Sequence, residues 1–262
     1  MAGARVPLEV HSHKEAGQVT VRVGNLPELL LTESVLPDLR LHCESPEHSP
    51  ELRSFLEGSG SSGLLVDVGA HNGFFSLLYA VAHPANRVLA FEPSDELGSR
   101  ARHLVAINHL GDRVEISSCV VSDKVEDIGF FRDSASGFVQ SQAFSGHENS
   151  GFVSVNLQAT TLDNECQVRQ LQPSVIKVDV EGYEWEVLQG AQQTLKTHHP
   201  VIFLELHLNY LEQRGLEAKG VLALLESCGY RFFSTEGRQL TSSLIAGSWL
   251  PVVRIVCRHA VS

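Results

Sequence analysis

The segment LLVDVGAHNGFFSLLYAVA, residues 64–82, passes from an apolar strand through a glycine turn into an apolar helix. A helix that follows a strand this closely carries the chain back across a sheet face, so the next strand pairs in parallel. The pattern recurs. RVLAFE (87–92) leads into SDELGSRARHLVAINHL (94–110), a helix with Ser94 as its cap and Gly111 as its stop. VEISSCVV (114–121) and SVIKVDVE (174–181) read as strands. YEWEVLQGAQQTLKTH (183–198) reads as a helix, with Trp185, Leu188, Ala191 and Leu195 at helical spacing. PVIFLELH (200–207), a helix over 217–229 and strands over 230–235 and 252–258 complete the alternation. The predicted fold class is α/β, a Rossmann-like doubly wound sheet, mostly parallel, with helices on both faces.

The first 60 residues have a different character. VTVRV (19–23) alternates as a strand does, and SPELRSFLE (49–57) starts a helix with Ser and Pro. GSGSSG (58–63) reads as a flexible connector. The predicted division is an N-terminal extension with linker, 1–60, and a main domain, 61–262. The extension is left with three roles: covering a pocket, a homodimer contact, or neither. RDSASGFVQSQAFSGHENSG (132–151) reads as a long loop of the kind that closes over sites.

Composition bounds the partners. A net charge of −11 gives no basic footprint for nucleic acid or an anionic membrane. Five scattered cysteines without a C-x-x-C pair read as free thiols. No apolar run reaches signal or membrane-spanning length. The expectation is a soluble, cytoplasmic protein acting on a small molecule.

The turn Gly69-Ala70-His71-Asn72-Gly73 sits where doubly wound folds bind ligands, beyond the carboxyl end of the first strand. Gly69 suits a tight turn, and Gly73 would let the helix start lie against a ligand. The dinucleotide fingerprint is absent, because His71 stands where its second glycine would admit a pyrophosphate. Asp67, just before the turn, repels a diphosphate and suits a cation. Glu92 ends the next strand, where an acid accepts from both ribose hydroxyls. A ligand with a ribose, a positive group and no phosphate is implied, and S-adenosylmethionine has that description.

VDVGAHNGFFSLL, AFEPS, AINHLG, VVSD, TTLD and above all IKVDVEGYEWEVLQGA resemble the FkbM-type family of class I S-adenosylmethionine-dependent methyltransferases over about residues 64–233. The resemblance implies a seven-stranded sheet of order 3-2-1-4-5-7-6 with the last strand antiparallel. It implies that Asp67 and the turn residues Gly69 to Gly73 follow the methionine part of the cofactor and that Glu92 holds the ribose. Ser122 and Asp123 would lie beside the adenine. It also implies O-methylation of a hydroxyl on a sugar, glycoside or secondary metabolite.

A strand buried on both faces should be apolar throughout. VIKVDVEG instead alternates, so Lys177, Asp179 and Glu181 share one face; in VIFLELHL, Glu205 and His207 do the same. If the two strands are neighbours, these charges converge, and burying them without use is expensive. His207 is the expected base for an acceptor hydroxyl. Asp179 or Glu205 would orient it or bind substrate hydroxyls, and Lys177 would balance the charge. Asp179 also adjoins the cofactor. Asp179, Glu205 and His207 are alternatively ligands for a divalent metal such as Mg. Tyr183 is a candidate pocket residue, whereas His11, His13, His42 and His48 read as ordinary exposed residues. The rival readings are a nicotinamide oxidoreductase and a methyltransferase-like fold that only binds a partner.

Overall fold

A computed structural model describes residues 10–15, 18–58, 62–133, 139–140 and 151–260. Part of the connector (59–61) and most of the predicted loop (134–138 and 141–150) lie outside the described residues.

The strands of the central sheet are β1 (Leu64–Val68), β2 (Arg87–Phe91), β3 (Val114–Ser117), β4 (Val175–Val178), β5 (Val201–His207), β6 (Tyr230–Ser234) and β7 (Val252–His259). Their order is β3-β2-β1-β4-β5-β7-β6, and a short strand, Gln239–Leu240, adds an eighth at the β6 edge. β1 to β5 pair in parallel; β7 runs antiparallel to both β5 and β6. This is the topology that the resemblance implies, with one edge strand more.

The helices are α1 (Leu36–Glu44), α2 (Ser49–Gly58), α3 (Phe74–Ala82), α4 (Asp95–Ile107), α5 (Leu162–Arg169), α6 (Glu184–Gln189), α7 (Gln192–His198), α8 (Leu208–Gln213), α9 (Ala218–Ser227) and α10 (Ser242–Ala246). α4 starts as predicted: Ser94 Oγ accepts from the Leu97 amide at 3.3 Å. α5 to α10 bury their apolar residues against one face of the sheet, with Val66, Ile176, Leu204 and Ile255. α1 to α4 cover the other face, with Leu65, Val175, Phe203 and Val256.

The N-terminal residues belong to this second core. An antiparallel meander, Val10–Glu15, Gln18–Val23 and Leu29–Thr32, lays Val19, Val21, Leu29 and Leu31 onto it. From α2, Phe55 meets Phe75, Tyr79 and Phe203 at ring-centroid distances of 5.1, 6.0 and 5.3 Å. Aromatic rings at such spacing add packing energy beyond area burial.

Three predicted elements differ from the structure. The strand 114–121 ends at Ser117; Val120–Val121 then joins a second, four-stranded sheet with Phe152–Thr160, Glu126–Asp133 and Val139–Gln140. The helix 183–198 is two helices, α6 and α7. Gly190, between them, sits so close to the Ser122 carbonyl that a Cβ there would lie 2.0 Å from its oxygen. The strand 174–181 stops at Val178, because Glu181 and Gly182 turn the chain with φ of 50° and 91°. No helix among the described residues is long and apolar enough to cross a membrane.

Candidate active site

A cavity of about 370 Å³ opens at the carboxyl ends of β1, β2 and β4. Its wall includes all of Gly69, Ala70, His71 and Asn72, together with Asp67, Glu92, Lys177, Asp179, Glu181, Tyr183 and Glu205. Apolar wall comes from Phe91, Leu97, Cys119, Val120, Val121, Phe130 and Val139.

The turn is held by its own acids. Asp67 is buried; its Oδ2 accepts from Ser76 Oγ at 2.7 Å, and its Oδ1 has no hydrogen-bond partner. Burial raises its pKa, against the pull of Lys177. Glu92 accepts the amides of His71 (2.8 Å) and Ser94 (2.9 Å), one on each oxygen. Burial pushes it up to about 7. Gly69 has φ of 82°, and a Cβ there would lie 1.8 Å from the Asp179 carbonyl oxygen. This position requires glycine on two counts, the left-handed backbone and the contact with the chain after β4.

Gly73 departs from expectation. It is not among the cavity-wall residues, its φ is 80°, and a Cβ would meet Ala101 of α4 at 3.1 Å, so packing against α4 also favours glycine there. Ser122 and Asp123 also depart from expectation. Neither is on the cavity wall. Ser122 is buried and bonds the Tyr183 hydroxyl (3.0 Å) and Asp123 (3.2 Å). The chain has already crossed into the second sheet there, and Cys119, Val120 and Val121 hold the wall in their place.

The charged strand tips do converge. Lys177 is buried, with Nζ 3.0 Å from Asp179 Oδ2 and 4.7 Å from the centre of the Phe75 ring. Burial alone would lower its pKa; Asp179, Glu51, Asp67 and Glu205 outweigh burial and raise it. Burial would likewise raise Asp179, but Lys177 and His207 hold it below the usual range. His207 lies behind the wall. Its Nδ1 is 2.7 Å from Glu184 Oε1, and its Nε2 is 3.3 Å from Glu181 and 3.9 Å from Asp179. Burial works to lower its pKa, yet the hydrogen bond it donates to Glu184 and the three carboxylate charges raise it to about 9. It is therefore an imidazolium at neutral pH, with no lone pair to take a proton, and the expected base role does not fit it.

Glu205 faces Arg254 across β5 and β7, and the guanidinium engages both of its oxygens. Arg254 also reaches Glu51 of α2 at 3.3 Å and His48 Nε2 at 3.0 Å. Two buried carboxylates thus share one guanidinium. Burial, then Asp179 and Glu51, take Glu205 to about 8, and burial raises Glu51 as well.

A dication fits this donor set poorly. Asp179, Glu205 and His207 bring one ligand atom each within 4.8 Å of the others. However, Asp179 is bonded to an ammonium, Glu205 to a guanidinium, and His207 is itself a cation. A metal would sit among three resident positive charges. S-adenosylmethionine fits better. Asp67, whose buried Oδ1 has no hydrogen-bond partner, lines a cavity of suitable size together with the turn that Gly69 permits.

Sequence reasoning missed the contribution of the N-terminal helices. Asp38, Leu41 and His42 of α1, and His48 just before α2, are on the wall. Asp38 accepts from the Asn72 side chain. His42 stacks on Phe74 at 5.6 Å and meets Phe75 edge-on at 5.0 Å. Burial, then Lys177, lowers it to about 3, and burial with Arg254 lowers His48. Both are neutral, partly buried imidazoles rather than ordinary surface residues. No local pattern signals them, since α1 carries only a modest apolar stripe.

The strand order and the acid-bordered glycine turn define the class I methyltransferase fold. The FkbM methyltransferase domain matches residues 67–232, and the chain belongs to that family. Among solved structures it is similar to the methyltransferase FkbM from Methylobacillus flagellatus KT, at 16% identity and TM-score 0.48, over 76% of this chain and 44% of that one. It is similar also to an S-adenosylmethionine-dependent O-methyltransferase from Thermotoga maritima, at 10% identity and TM-score 0.47, over 95% and 85% of the two chains. An O-methyltransferase from Bacillus cereus in complex with SAH is 14% identical at TM-score 0.43, over 85% and 84%. This chain thus spans under half the length of the Methylobacillus protein. No curated protein matches it.

Proposed function

We propose that this protein transfers a methyl group from S-adenosylmethionine to a hydroxyl of a small metabolite, of the sugar or glycoside kind. The observation that carries the reading is Asp67: a buried carboxylate near the tip of β1, on the cavity wall, with one oxygen that has no hydrogen-bond partner.

S-adenosylmethionine supplies an electrophilic methyl on a positive sulfur. Asp67 and the turn residues Gly69 to Asn72 hold its methionine end. Glu92 accepts from the ribose with the lone pairs that its two amide bonds leave free. Glu181 takes the acceptor's proton. It lines the cavity, its pKa is raised by burial, and its left-handed backbone is the kind of strain found at functional sites. His207 and Lys177 position Glu181 and Asp179 by charge. The reaction needs no metal in this reading, so a chelator leaves it unchanged.

Calorimetry with S-adenosylmethionine and with NAD tests the reading. Binding of the first alone is expected, and Asp67→Asn should weaken it by about tenfold or more, the loss of a charge-assisted contact. Tight NAD binding with no response to the sulfonium would favour an oxidoreductase. Cofactor binding without transfer to any acceptor would favour a binding protein.

A further inference from the structure

We propose that Arg214, at the carboxyl end of α8, is a positioning residue: it holds Gly182 from behind and so sets where Glu181 and Tyr183 stand on the cavity wall. This rests on the methyltransferase reading, in which Glu181 takes the acceptor's proton, and it names what aims that carboxylate.

Glu181 and Tyr183 line the cavity, whereas Gly182 between them does not. Gly182 is held through its backbone instead. Its amide donates to Glu184 Oε1 at 2.9 Å, and its carbonyl accepts from Arg214 Nη1. A Cβ on Gly182 would lie 2.5 Å from Cβ of Tyr210, which also belongs to α8. The pivot between the two wall side chains is thus pinned by α6 on one side and α8 on the other. Glu181 itself has φ of 50°, and such strain persists only where the surroundings over-determine it.

Arg214 is fixed in its turn. Its side chain is 10% exposed, and it donates to both oxygens of Glu186, from Nη1 at 3.1 Å and from Nη2 at 2.6 Å. A two-pronged pair of this kind sets the orientation of the guanidinium as well as its place. The guanidinium carbon lies 5.0 Å from the centre of the Tyr183 ring, whose hydroxyl bonds Ser122. Joining α8 to α6 needs only the Glu186 pair. The contacts with the Gly182 carbonyl and the Tyr183 ring go to the wall segment itself, and they make Arg214 a positioning residue.

His207 reports where Glu181 stands, with no acceptor required. Its Nε2 is 3.3 Å from Glu181 and 3.9 Å from Asp179, its Nδ1 meets Glu184, and the Tyr210 ring stacks on it at 5.8 Å. The test is an NMR titration of the His207 ring in the full chain. Glu181→Gln sets the scale, a pKa lowered by about one pH unit for the loss of one neighbouring carboxylate. Arg214→Gln removes a cation and frees Glu186, so charge alone would raise the His207 pKa. A fall of about half a pH unit or more is expected instead, because Glu181 is released from the imidazolium. Arg214→Lys, the milder change, keeps the charge but has no fork to bridge Gly182 and Glu186, and it should give a fall too. With Glu181→Gln already in place, Arg214→Gln should give no further fall. An unchanged or raised pKa in both Arg214 variants, or an equal fall without the Glu181 carboxylate, overturns the proposal. Calorimetry with S-adenosylmethionine on the unaltered protein reads the other level: absence of binding overturns the methyltransferase reading, whatever His207 does.

Discussion

Glu184 Oε1 lies 2.7 Å from Nδ1 of His207 and also accepts the Gly182 amide at 2.9 Å. One buried oxygen thus fixes both the imidazolium and the left-handed turn that swings Glu181 towards the cavity. Glu184→Gln should lower the His207 pKa from about 9 towards or below its ordinary 6.5. Ring chemical shifts in an NMR titration measure this directly. A pKa that stays near 9 would refute the assignment of Glu184 as the main partner.

The same pair sets a pH dependence of stability. His207 binds its proton more tightly folded than unfolded, so its contribution is fully present below about 6.5 and is lost as pH rises through about 9. Denaturant midpoints should therefore fall between neutral pH and pH about 9, and they should fall less in Glu184→Gln. A flat profile over that range would show that His207 titrates alike in both states.

Gly69→Ala should be severe. The left-handed backbone disfavours a Cβ, and the Asp179 carbonyl occupies its space. A loss of roughly 2 kcal/mol or more is expected from strain and displacement together. Thermal unfolding measures it. Gly111→Ala is the control, since nothing stands within 4 Å of a Cβ there.

Phe55→Ala tests how closely α2 is joined to the sheet. Phe55 is fully buried against Phe75, Tyr79 and Phe203, and a cavity there should cost about 3–5 kcal/mol. Unfolding should remain a single transition at a lower denaturant concentration. An early, separate transition of small amplitude would show that the N-terminal helices melt independently.

Much of this architecture could be read along the chain, because its signals are local. The 64–82 unit, the Ser94 cap and the alternation of Lys177 and Asp179 each occupy a few consecutive residues. The strand order came from the resemblance, since periodicity alone does not say which strands are neighbours. What escaped depends on contacts between distant residues. Nothing near His48 or Glu51 announces Arg254, some 200 residues later. The break at Gly190 exists because the Ser122 carbonyl presses there. Burial reversed the expectation for His42, and the three carboxylates around His207 made a cation of the residue whose ordinary pKa recommended it as a base.

β7 runs against its neighbours, and so its beginning, not its end, lies beside the tips of the parallel strands. A chain emerging from the ribosome has laid down the glycine turn, the lysine and the acids long before residue 254 appears. Until that arginine docks, Glu51 and Glu205 face each other without their shared counter-charge. The last strand therefore completes the pocket as well as the sheet, and nascent chains halted before it should hold the methyl donor only weakly.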